Sequence, residues 1–157
     1  MRTRAETCCF TGHRPGKLPW GLNEEDPRCL ELKRRLGDVV ETAWEMGKRH
    51  FLCGMAMGCD LYFGETVVEL RRRHPEVTLT LLLPYHPFDR PIPTPEGFDG
   101  TFYPPGMETV PKRAAIVRAN RYMLEHSSYL IAYVSHPSSG SREVLEAALR
   151  RQKHGLI

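Results

Sequence analysis

Short apolar runs alternate with amphipathic stretches along this chain. Thr7-Cys8-Cys9-Phe10 is an apolar run ending at Thr11-Gly12 and reads as a first strand. His13 to Pro27 holds Pro15, Gly16, Pro19, Gly21 and Pro27 and reads as a loop. From Arg28 to Met46, the residues Leu32, Leu36, Val39, Val40 and Ala43 recur at helical spacing, and Gly47 is placed to end that helix. A second strand is expected at His50 to Cys53 and a second helix at Leu61 to His74, stopped by Pro75. Val77 to Leu83 is nearly continuous in apolar and β-branched residues, as in a buried parallel strand. Lys112 to His126 reads as a third helix with Ala115, Ala119, Tyr122 and Met123 on one face. Tyr129 to Val134 reads as a fourth strand. Ser141 to Lys153 reads as a fourth helix with Val144, Leu145, Ala148 and Leu149 inward, and Gly155-Leu156-Ile157 as the start of a fifth strand.

Strands that alternate with helices imply a parallel sheet with right-handed crossovers and helices on both faces. The expectation is one α/β domain over residues 1–157, interrupted by a Pro-rich loop at 84–111. That loop is long for a small domain. Its aromatics Tyr85, Phe88, Phe98, Phe102 and Tyr103 predict that it packs on something, as a lid over a site would.

Composition narrows the class. The chain has 157 residues, 26% charged and 41% hydrophobic, as in an ordinary globular protein. A net charge of +3 permits phosphate-bearing partners without requiring nucleic acid. No apolar run is long enough to span a membrane and no signal peptide is recognisable, so a cytoplasmic protein is expected. The five cysteines, an odd count, fit reduced thiols. Cys53 and Cys59, and the adjacent Cys8 and Cys9, lack the Cys-x-x-Cys spacing of structural zinc, so no metal is expected.

In parallel sheets, ligands bind outside the carboxyl ends of the strands. Three strand ends carry small or polar loops: Thr11-Gly12-His13-Arg14, the stretch Gly54 to Asp60, and Ser135 to Ser141. The second is a glycine turn between strand and helix. It has neither the G-x-G-x-x-G dinucleotide spacing nor the Lys of a Walker loop.

Taken together these loops resemble the YpsA-like group of the SLOG superfamily of Rossmann-like domains. That superfamily also holds the DNA-processing protein A and the "Lonely guy" phosphoribohydrolases. Thr11-Gly12-His13-Arg14-Pro15 is similar to the group's opening motif. Gly54-Met55-Ala56-Met57-Gly58-Cys59-Asp60 is similar to its Gly-Gly-Ala-x-Gly-x-Asp loop. Arg118-Ala119-Asn120-Arg121-Tyr122-Met123 and Gly140-Ser141 are similar to its later Arg/Asn/Met stretch and Gly-Ser turn. Met55 stands where the group often has a second glycine. The phosphoribohydrolases carry a catalytic Glu where this chain has Val144, with Glu143 one residue early. The resemblance implies a three-layer Rossmann-like α/β fold with a mostly parallel sheet. It also implies a nucleotide-like ligand, such as a bound nucleotide or an ADP-ribose- or NAD-like molecule, and self-association.

Thr11, Gly12, His13 and Arg14 offer backbone N–H groups, a hydroxyl, an imidazole and a guanidinium for a phosphate, or else form a tight turn. In the second loop Gly54, Met55, Ala56 and Gly58 are expected on the sugar or base side. Asp60 reads equally as an N-cap and as a ribose ligand. Arg118 and Asn120 are expected to reach the crevice from the end of the third helix, with Arg121 solvated. Ser139, Gly140 and Ser141 resemble a phosphate cup at a helix N-terminus, where Ser141 can also cap. Glu143 and Glu146 are the carboxylates near that loop that could activate water.

The expected function is nucleotide binding by a sensor or regulatory protein. The alternative is N-glycosidic hydrolysis of nucleoside 5′-monophosphates with Glu143 or Glu146 as acid/base. Single-stranded DNA binding ranks last, because the aromatic-rich loop carries Asp89, Glu96 and Asp99.

Overall fold

The computed structural model describes residues 3–13, 18–54, 58–83, 97–102, 111–134 and 140–154. After a short 3-10 turn at Arg4–Glu6, the elements run β1 (Thr7–Gly12), α1 (Pro27–Glu45), β2 (His50–Gly54), α2 (Cys59–Arg73) and β3 (Thr78–Leu82). They continue with β4 (Gly100–Phe102), α3 (Lys112–Glu125), β5 (Tyr129–Tyr133) and α4 (Gly140–Lys153). The five strands form one all-parallel sheet in the order β4-β3-β2-β1-β5. This is the expected Rossmann-like α/β architecture.

Strand alternation divides the core. Cys8, Phe10, Phe51, Cys53, Leu79 and Leu81 pack with α1 and α2. Cys9, Leu52 and Leu82 point the other way, onto Ala115, Ala119 and Met123 of α3 and Val144 and Ala148 of α4. Successive side chains on a strand face opposite sides, so adjacent cysteines 8 and 9 serve different layers.

Local sequence explains the helix ends. Asp26 caps α1 by accepting a hydrogen bond from the Arg28 backbone N–H at 2.8 Å, and Pro27 takes the first helical position. Gly47, at φ +97°, follows the last turn in the left-handed conformation. The buried face of α1 is Cys29, Leu32, Leu36, Val40 and Ala43. Val39, expected inward, is exposed because Val40 already occupies the inward direction. In α4, Val144 and Ala148 are buried whereas Leu149 faces outward, 49% exposed.

The Pro-rich stretch contains a strand that periodicity did not predict. β4 pairs with β3 through Thr80↔Gly100, Leu81↔Thr101 and Leu82↔Phe102. Asp99 extends this ladder. Its backbone N–H donates to the Leu79 carbonyl at 2.8 Å, its carboxylate accepts from the Leu79 N–H at 2.7 Å, and Arg71 donates to the same oxygen at 2.6 Å. Phe98 packs on the α1–α2 side of the core, as expected of an aromatic in this stretch. The expected strand at 155–157, and the parts of the 84–111 loop at 84–96 and 103–110, lie outside the described residues. Among the described residues no helix is long and apolar enough to cross a membrane.

Candidate functional site

The three strands whose ends carry the candidate loops lie side by side, as β2-β1-β5. The chain winds outward from β1 through β2, β3 and β4, then returns across the sheet via α3 to place β5 on the other side of β1. The strand order therefore reverses between β1 and β5, at the position where open α/β sheets form a ligand crevice.

The strand ends are not equally paired. β1 follows β5 to its last residue, with Thr11↔Ala132 and Gly12↔Tyr133. Its pairing with β2 stops at Cys9↔Leu52. Beyond that point the start of α2 lies against the end of β1. The Cys59 backbone N–H donates to the His13 carbonyl at 3.2 Å. A Cβ at Gly12 would lie 2.5 Å from the Cys59 Cβ, so only glycine permits this approach. Gly58 makes the turn into α2 at φ +57° and ψ −122°, a conformation open essentially to glycine alone.

These contacts sort the candidate residues. Thr11 and His13 are buried, at 7% and 1% exposure. The His13 ring meets the Tyr133 ring edge-on at 5.9 Å. One N–H of the first turn of α2 is taken by His13, and Asp60 places a carboxylate in the same turn. That end of α2 is therefore poorly suited to a second anion. Asp60 is not the N-cap: Gly58 holds that position, and Asp60 is the second helical residue, where its charge complements the helix dipole. α4 begins at Gly140, one residue before the expected start, so Ser141 lies inside its first turn.

Arg118 and Asn120 stand in the middle of α3, and the C-terminal end of that helix leads into the start of β5, the sheet edge opposite the crevice. The expectation that they reach the crevice from a helix end is thus corrected. Arg118 is exposed. Asn120 lines a groove of about 600 Å³ between α3 and α4, together with the exposed Arg121 and with Glu143. Glu146 is exposed on α4. Gly54 closes β2 opposite Leu82. Arg14, Met55, Ala56 and Ser139 lie outside the described residues.

All five cysteines are buried free thiols. Burial pushes Cys8 and Cys53 well above the ordinary thiol range, and Cys9 and Cys59 up to about 12. The nearby Asp60 carboxylate adds to the rise at Cys53 and Cys59. Such thiols are protonated at neutral pH and are poor nucleophiles and metal ligands.

Sequence reasoning passed over the aromatic side of the crevice. Trp20 and Tyr62 are buried, and the Trp20 Nε1–H donates to the Tyr62 hydroxyl at 3.4 Å. Trp20 also meets the ring of Tyr133, the last residue of β5. The one available signal was a tryptophan inside a Pro/Gly-rich loop, where a large apolar side chain needs a partner.

A family model, that of the YspA SLOG family (YpsA), matches residues 8–92. This chain belongs to that family. The matched region runs from β1 through β3 and carries both the Thr11-Gly12-His13 turn and the Gly54–Asp60 loop of this YpsA-type protein. Membership points to nucleotide-related binding or processing. No curated protein matches the chain.

Proposed function

We propose that this YpsA-type protein binds a nucleotide or nucleotide-derived small molecule at the carboxyl edge of its sheet, as a sensor or regulatory protein. The observation that carries this reading is the reversal of strand order between β1 and β5, which brings the ends of β2, β1 and β5 side by side. The phosphate is assigned to the N-terminus of α4 and to Arg14. The N-terminus of α4 offers N–H groups and a favourable dipole. The start of α2 has one donor occupied by His13 and a carboxylate at Asp60, which suits a ribose hydroxyl better than a phosphate. The hydrolase alternative has less support, since Glu143 lines the α3–α4 groove and Glu146 is exposed.

A thermal-shift panel of nucleoside mono-, di- and triphosphates, NAD, ADP-ribose and a short single-stranded DNA tests the reading. A ligand at a hundred times its Kd stabilises by about 2.7 kcal/mol. A nucleotide hit supports the reading. A flat response to every nucleotide, or a response to DNA alone, overturns it.

A further inference from the structure

The phosphate and sugar assignments leave the aromatic side of the crevice without a role. Tyr133 ends β5 directly beside Gly12 in register. Its ring packs toward the α1–α2 layer and is held from two directions. The His13 ring lies edge-on at 5.9 Å and 76°, and the Trp20 ring is tilted at 6.4 Å and 40°. Trp20 is anchored in turn by Tyr62 in the second turn of α2. His13, Trp20 and Tyr62 are buried, whereas Tyr133 remains only half-buried.

Two enclosed rings, one of them anchored by a third, thus hold a fourth that stays partly open, at the point where the strand order reverses. Tyr133 packs on the core with part of its ring and leaves the rest open at the strand end. What it supplies is a flat surface with little rotamer freedom left to lose, backed by rings that prevent it from turning away. Every nucleobase has a π-face that can lie on such a surface.

We propose that Tyr133 is the base-stacking surface of the crevice, and that the ligand is a base-bearing nucleotide and not a base-free sugar phosphate. The proposal rests on the nucleotide reading above and adds to it the part of the ligand recognised. Tyr133 touches the base, while Trp20 and His13 act as positioning residues.

The test titrates AMP, GMP, CMP, UMP and ribose 5-phosphate against the wild type, Tyr133→Leu and Tyr133→Phe, with circular dichroism confirming the fold of each variant. The wild type is expected to bind at least one of the nucleotides about tenfold or more tightly than ribose 5-phosphate. Tyr133→Leu should lose that preference while its ribose 5-phosphate affinity stays the same, and Tyr133→Phe should keep it. Equal wild-type affinity for ribose 5-phosphate and every nucleotide overturns the proposal without any variant, and leaves the crevice a sugar-phosphate site. An unchanged preference in a folded Tyr133→Leu also overturns it, with nucleotide binding intact. Binding of none of the five compounds overturns this proposal, and the nucleotide reading falls with it only when the wider panel of di- and triphosphates, NAD and ADP-ribose is flat as well.

Discussion

Gly12 and Cys59 stand so close that a methyl group at position 12 would lie 2.5 Å from the Cys59 Cβ and 2.8 Å from the Phe10 ring. The last residue of β1 is therefore a packing glycine as well as part of the candidate loop. It lets the start of α2 settle onto the strand end that the proposed ligand faces. Gly12→Ala is expected to destabilise the fold by about 1–3 kcal/mol, the usual cost of overpacking, as measured by urea denaturation. A stability equal to wild type would show that the approach is not tight.

Two other glycines should respond in opposite ways. Gly58 turns into α2 with φ +57° and ψ −122°. Gly58→Ala should cost about 1–3 kcal/mol through backbone strain. Gly37 is exposed within α1, with nothing within 4 Å of a Cβ placed there. Gly37→Ala should gain about 0.5–1 kcal/mol from helix propensity. Melting curves of the two variants that shift the same way would contradict this account.

Asp99 holds the edge of the sheet. It accepts from the Leu79 backbone N–H and from Arg71, joining β4, β3 and α2. Asp99→Ala leaves that N–H without its acceptor and should cost about 1–3 kcal/mol. Asp99→Asn retains an acceptor oxygen and should recover part of the loss. Equal losses in both variants would assign the effect to the Arg71 charge pair instead.

The buried thiols predict an alkaline limit. The Cys9 thiol is raised from about 9 to about 12, chiefly by burial. Below pH 9 it is protonated in both folded and unfolded chains, so its contribution to stability is fully present. Between pH 9 and pH 12 the unfolded chain releases a proton that the folded chain retains, and stability falls as pH rises. Cys9→Ala, despite its lower starting stability, should therefore lose less between pH 8 and pH 10.5 than the wild type in urea unfolding. Parallel losses would contradict the shift.

Much of the fold was legible because long, strongly patterned elements carry their own signal. The Cys8–Phe10 run, the helical stripe of α1 and the aliphatic run of β3 all formed where periodicity placed them. β4 was not legible: at three residues beginning with Gly100 it is too short to show alternation, and it exists through pairing with β3 and the Asp99 bonds. The candidate loops could be found from strand–turn–helix order, but the adjacency of the strand ends that carry them depended on the strand order of the sheet, which no local pattern encodes. The same limit applies to Arg118 and Asn120, whose motif was visible but whose helix runs away from the crevice. Tyr133 and Trp20 were hidden as ordinary strand and loop residues until the fold brought their rings together.

On the proposed reading, the ends of β1, β2 and β5 form one nucleotide site. Its most direct test is the Kd of the best nucleotide from the panel for the wild type, Arg14→Ala and Gly140→Val, measured by calorimetry on variants that melt cooperatively. Loss of the charged contact in Arg14→Ala is expected to weaken binding about tenfold or more, as for a charge-assisted bond of about 1.5–3 kcal/mol. A comparable loss is expected in Gly140→Val, where a side chain would intrude on the phosphate's approach to the start of α4. Wild-type affinity in both variants would place the nucleotide elsewhere on the molecule and contradict the account.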